Sequence, residues 1–169
     1  MATQVKNNKE ETEIFQLVCF KLGNEEYAIN IVNVQEVIHM LHTMEVPQMP
    51  SFVLGVINVR GEIMPVFDLR IKFNLPIEGF SKKARIIVIS TENEKISFVV
   101  DEILETLRID SSRIDPAPPI KMNIKKECVL GIGELEERMI VVLDINEIHR
   151  DIKEHIVASN WRDTGKRVG

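Results

Sequence analysis

Residues 54–69 align without a gap on residues 130–145, so part of this chain is written twice. Both stretches open on Leu-Gly (Leu54-Gly55, Leu130-Gly131), carry a polar interruption midway, and run into an apolar strand closed by aspartate, Asp68 or Asp144. A second match at a slightly different offset lays Phe20–Ile38 over Ile89–Leu107, with Glu36 falling on Glu105. Self-similarity of this kind marks one small unit used twice, and any fold for the chain has to contain two copies of it.

Each copy reads as short strands punctuated by turns. Phe15, Leu17 and Cys19 alternate with Val18, Phe20 and Leu22, so both faces of the first strand are apolar, as in a strand lying between layers. Gly23-Asn24 turns the chain and Glu26–Ile29 returns as its partner. Ile31 and Val34 fit one helical turn, Gln35–Met40 reads as a strand, and Pro47 and Pro50 mark an irregular connection. Val56–Val59 and Glu62–Asp68 make a hairpin with Arg60-Gly61 at its tip, and Pro65, which cannot donate to a ladder, is expected at an edge or a bulge. The second copy repeats the plan with Arg85–Ser90, Lys95–Val100, Glu105–Ile109, Ile132–Leu135 and Arg138–Leu143, with Pro116, Pro118 and Pro119 stiffening a link. Strands at this spacing without long helices predict an all-β protein of small barrels. One helix is expected at the end, capped by Asp144 with Glu147 in the capping-box position. Its Ile145, Ile148, Ile152 and Ile156 share one face, which should pack on a barrel, with Trp161 stapling the end.

The expected organisation is a single domain over residues 13–150, made of two subdomains near 13–80 and 81–145 with room for strand exchange between them. Residues 1–12 and 160–169 read as flexible tails.

Composition removes several function classes. A formal charge of −5 and an aromatic content of 5% argue against a nucleic-acid surface, which wants clustered cations and stacking platforms. The longest apolar runs fall far short of a bilayer span of about 20 residues, and the polar N-terminus has no secretion-type apolar segment. Cys19 and Cys128 form no CxxC and sit in or beside apolar runs, which favours buried thiols in a cytoplasmic protein over a disulfide.

Catalytic motifs are missing. There is no glycine-rich phosphate loop, no HExxH and no nucleophile elbow. His39 and His42 have ligand-like spacing but no third ligand nearby, so no metal is expected. Asp68 and Asp144, one per copy, could in principle pair as in a two-aspartate hydrolase. Leu-Arg after the first and Ile-Asn after the second break that family's pattern, and helix capping is the simpler role. Arg60 differs: its counterpart in the second copy is Glu136, so the scaffold does not require a base there.

Phe20–Ile29, Val34–Val37, Gly55–Arg70 and Val99–Leu104 together resemble the CheW family of chemotaxis coupling proteins over roughly residues 13–150. The resemblance implies two five-stranded Src-homology-three-like barrels side by side, no catalysis and no cofactor. It also implies a cytoplasmic protein, recruited to arrays, that joins the cytoplasmic tips of transmembrane chemoreceptors to the regulatory domain of the histidine kinase CheA. Carried onto this sequence, receptor binding falls on Val34, Glu36, Gly55 and Arg60, and a kinase face on Leu130, Gly131 and Ile132 of the second copy. A stand-alone relative of the kinase regulatory domain, which shares the fold, is the nearest alternative.

Overall fold

The computed structural model describes residues 13–92, 94–116 and 124–168, with side chains described through residue 157. Among the described residues eleven strands form two sheets. They are β1 (Ile14–Leu22), β2 (Glu25–Asn30), β3 (Val34–Ile38), β4 (Val53–Val59), β5 (Glu62–Asp68), β6 (Arg85–Ser90), β7 (Lys95–Val100), β8 (Glu102–Asp110), β9 (Ile114–Asp115), β10 (Val129–Leu135) and β11 (Arg138–Leu143). The short helix α1 (Leu69–Lys72) follows β5, and α2 (Ile145–Val168) ends the chain.

The six-stranded sheet runs β8-β1-β2-β11-β10-β9 and the five-stranded sheet β3-β6-β7-β5-β4. Each copy is therefore a first hairpin, a lone strand and a second hairpin, and the first hairpins are exchanged: β1-β2 sits with β8–β11, and β6-β7 with β3–β5. Neither sheet is drawn from one half of the chain alone. The two sheets repeat each other's pairings, including one parallel junction apiece, β5 on β7 and β11 on β2. Where five strands per barrel were expected, one sheet gains a sixth, the two-residue β9.

This exchange explains the doubly apolar hairpins. Leu17 and Cys19 of β1 join Ala28, Ile109, Ile140 and Val142 in a core belonging to the six-stranded sheet. The alternate residues Val18, Phe20 and Leu22 face the other way, into the largest core, with Ile87, Ile89, Phe98 and Val100 of the other sheet. A third core, with Ile57, Val59, Met64, Val66, Ile86, Val88 and Val99, fills the five-stranded barrel. Burying both faces of a strand removes water from twice the apolar area. That is why β1 and β6 are apolar on both faces over most of their length.

Pro65 departs from expectation, because β5 is an interior strand. Its partner Val56 turns its own N–H and C=O outward to Met44, at 2.9 Å each, and on the other side the pairing of β5 with β7 begins only at Val66, so neither neighbour calls on Pro65 for a backbone donor. The strand boundaries differ from the sequence reading chiefly by extension: β8 begins at Glu102 and β10 at Val129, and β3 stops at Ile38. Asp144 Oδ1 accepts from the Glu147 N–H at 3.3 Å, as a capping residue should. Ile145, Ile148 and Ile152 are buried in the central core and Ile156 packs against it. The helix continues to Val168, beyond that stripe. The N-terminal tail, Pro118, Pro119 and the Trp161 side chain lie outside the described residues.

Both thiols are free and buried, and burial pushes each up to about 11. A thiol that stays protonated and covered does not attack a disulfide reagent. At pH 8 the native protein should leave an Ellman-type reagent unreacted over minutes and release two equivalents only after denaturation; rapid native reaction at either site would contradict the packing.

Candidate functional site

The second hairpin of each copy turns in two residues with both φ values positive. Arg60 has φ 50° and Gly61 89°; Glu136 has 48° and Glu137 69°. These are the mirror-image turns whose twist suits a tight hairpin. In the first copy the turn carries Arg60 out to an exposed position, 70% accessible at the side chain, where Nη2 donates to Glu36 Oε2 on β3. Glu36 is half-buried. Since β3 and β4 are the two edges of the five-stranded sheet, this ion pair spans the seam of the barrel.

The rest of the seam is closed by main chain. After β3 the chain crosses to β4, where Met44 and Val56 exchange two hydrogen bonds. Gly55 makes the crossing possible. It lies at a register shift in β4 with φ 144°, and a Cβ there would stand 2.8 Å from the Met44 carbonyl carbon and closer still to its oxygen. Gly55 is buried beneath the crossing segment, so its part in any docking surface is to hold Met44 and Glu45 in place.

The second copy builds the same seam with different charges. Gly131 lies at an equivalent shift in β10, with the Asp115 carbonyl of β9 where Gly55 has that of Met44. Glu105 on β8 stands where Glu36 stands on β3, but its partner has moved two residues past the tip. Arg138 Nε reaches Glu26 at 2.9 Å and its Nη1 reaches Glu105. Both arginines are held above their ordinary pKa, foremost by the hydrogen bond to Glu36 in one case and to Glu105 in the other. The loss of a base at Glu136 is thus made good at Arg138. What remains different is that Arg60 is far more exposed than Arg138.

A second asymmetry was not part of the sequence reading. Val32, Val37, Met40, Leu41 and Met44 are all exposed apolar residues on or beside β3. The aligned positions for Val32 and Val37 hold Asp101 and Thr106, and Asp115 occupies the place of Met44. The scaffold therefore does not demand an apolar surface there. Comparing the two copies at those positions, as was done for Arg60, would have exposed the signal. Val34 opens β3 half-buried, against the central core. Of the second-copy trio, Leu130 is exposed, whereas Gly131 and Ile132 are buried.

The two aspartates are not brought together as a reactive pair. Asp68 is buried, and both its oxygens are engaged by Arg70, Nε at 3.2 Å and Nη2 at 3.0 Å. Asp144 caps α2. His39 and His42 are exposed, and among the described residues no three His, Cys, Asp or Glu side chains are grouped to hold a metal. No helix among the described residues is long and apolar enough to cross a membrane.

Residues 16–153 match the family model described as CheW-like domain. The chain is 33% identical over 147 residues to the chemotaxis protein CheW of Helicobacter pylori, covering 87% of this chain and 88% of that one. It is 34% identical over 138 residues to the CheW of Klebsiella aerogenes, covering 82% and 83%. Among solved structures, the scaffolding protein TtCheW from Thermoanaerobacter tengcongensis superposes with a TM-score of 0.73 at 34% identity, over 79% of this chain and 86% of that one. An exchanged pair of barrels, a charged clasp on each seam and these likenesses lead to one conclusion: the chain belongs to the CheW family of chemotaxis scaffolding proteins.

Proposed function

We propose that this protein is a non-catalytic coupler that docks the cytoplasmic tips of chemoreceptors on its five-stranded barrel and the regulatory domain of the histidine kinase CheA on its six-stranded one. The observation that carries the reading is the apolar surface of Val32, Val37, Met40, Leu41 and Met44 beside the Arg60–Glu36 pair, with Asp101, Thr106 and Asp115 in the places of Val32, Val37 and Met44 on the other copy. A helical-hairpin tip offers an apolar ridge and flanking charges. The exposed valines and methionines supply the complementary slot, and Arg60 the charge-assisted bond that fixes register. Val34 and Gly55 support that face from beneath, and Glu36 orients Arg60. On the other barrel Leu130 is the available contact, with Gly131 and Ile132 shaping the strand that presents it. Residues 13–150 act as one unit in this scheme, in the cytoplasm at receptor arrays, and no cofactor or metal takes part.

Replacing Arg60 by Glu places three carboxylates, with Glu36 and Glu62, around the hairpin tip. Binding to a receptor signalling fragment should weaken by roughly tenfold or more, as for loss of an interface anchor. The melting temperature should stay within about 2 °C, since an exposed ion pair adds little to stability. A titration against the receptor fragment, with circular dichroism alongside, reads both. Equal affinity for variant and parent would remove Arg60 from the interface. A three-way complex of receptor fragment, this protein and CheA tests the whole reading; failure to form one at micromolar concentrations would overturn it.

A further inference from the structure

We infer that Met40 and Met44 are oxidant-sensitive sites through which peroxide-class oxidants weaken receptor docking; this rests on the docking face proposed above. The chain's sulfur is sorted by burial. Among the described residues Cys19, Cys128 and Met64 are enclosed and Met49 is half-buried, whereas Met40, Met44 and Met139 are 41%, 51% and 54% exposed. The thiols are also held protonated, since burial raises both of them, so the groups usually oxidised first are the least available here. The exposed thioethers are then the first targets. Two of the three lie on the segment that crosses from β3 to β4, flanking Leu41 and within a few residues of Glu36. Met44 is held outward by its backbone, whose N–H and C=O are both fixed to Val56 while Gly55 carries it from below. The matching place in the other barrel is Asp115, so the scaffold does not require sulfur at this position.

The chemistry balances with hydrogen peroxide as the oxidant. The thioether sulfur attacks one peroxide oxygen, an S–O bond forms as the O–O bond breaks, and the proton on the transferred oxygen passes to the departing one, which leaves as water. Sulfur loses two electrons and peroxide gains them. The product sulfoxide turns a flexible apolar side chain into a polar one, and reductases specific for methionine sulfoxide reverse the change. In a docking slot built from valine, leucine and methionine, such a group meets no partner and costs affinity on burial.

Graded hydrogen peroxide, quenched with free methionine, followed by peptide mass mapping and titration with the receptor fragment, tests this. Met40 and Met44 should gain oxygen before Met64, and affinity should fall roughly tenfold in step with them. The double variant Met40→Leu with Met44→Leu keeps an apolar side chain of similar volume at both positions; whatever affinity it shows before peroxide, it should keep after peroxide. A Met139→Leu variant should remain as sensitive as the parent. Sulfoxide at both positions with affinity unchanged would overturn the inference, as would earlier oxidation of Met64 or a double variant that loses affinity to peroxide like the parent. If unoxidised parent fails to bind, the docking reading itself falls and takes the inference with it, an outcome told apart because the control fails before any oxidant is added.

Discussion

Gly55→Ala should unfold this protein at markedly lower denaturant than the parent, by about 3 kcal/mol or more. Two costs combine. A φ of 144° lies where side chains are rarely tolerated, and holding alanine there costs about 1–3 kcal/mol. The added methyl also strikes main chain, the Met44 carbonyl, which is bonded to Val56 and cannot swing away like the end of a side chain. Overpacking against fixed atoms costs typically about 1–3 kcal/mol more. Gly131→Ala meets the Asp115 carbonyl in the same way but has no positive φ, so its loss should be the smaller of the two. Gly133, whose Cβ would press on the end of the Ile109 side chain at 3.3 Å and meet the Ile140 carbonyl at an ordinary 3.9 Å, should accept alanine with a fraction of that cost. Urea unfolding of the three variants gives the order directly. A Gly55→Ala protein within about 0.5 kcal/mol of the parent would mean that the segment after β3 does not lie on β4.

Those glycines show what a single chain makes visible. Leu-Gly was the clearest mark of the duplication, and the repeat fixed the all-β class, the hairpin tip at Arg60-Gly61 and the cap at Asp144. It did so because turns, caps and period-two apolarity are local, written within a few residues of where they act. Room for strand exchange was legible, but that β1-β2 is swapped for β6-β7 was not. Two hairpins of equal length and equal apolarity carry no local label saying which second hairpin they join, and only the packed whole decides it. Pro65 misled for a related reason: an interior proline is allowed where neither flanking strand needs its donor, and that depends on Val56 bonding to Met44 across an irregular crossing and on the β7 ladder starting at Val66. At the site, Arg60 stood out against Glu136, yet its bond to Glu36 and the compensating shift of the cation to Arg138 depend on how barrel seams close. Gly131 and Ile132 were marked from the family resemblance and the echo of Gly55, which give position in a strand but not the side from which a neighbour covers it.

Arg70 was read only as the residue that breaks a protease pattern, and its removal is the other large effect expected. Its guanidinium is almost wholly buried. It binds Asp68 twice, donates from Nη1 to the Glu78 carbonyl at 2.9 Å and to Asp101 Oδ1 at 3.1 Å, and lies 3.8 Å over the Phe80 ring. Asp101 carries the connection into the other barrel, because its second oxygen accepts from the Gly23 N–H at 2.7 Å in the β1-β2 turn and its own N–H donates to Lys21. One cation therefore ties β5 and α1, the connection after α1, the β7-β8 corner and the exchanged hairpin. Arg70→Met keeps much of the stem's packing but strands Asp68 as an unpaired buried carboxylate. Breaking one partner from a buried pair in this way costs about 3–5 kcal/mol. Asp68→Asn in the Arg70→Met background should recover a substantial part of that, since the neutral amide still caps α1 through its oxygen and no bare charge remains. A double-mutant cycle by urea unfolding measures the coupling. If Arg70→Met alone costs less than about 1 kcal/mol, or if the second substitution adds its full cost to the first, the two barrels are held at their junction by apolar packing and not by this charge.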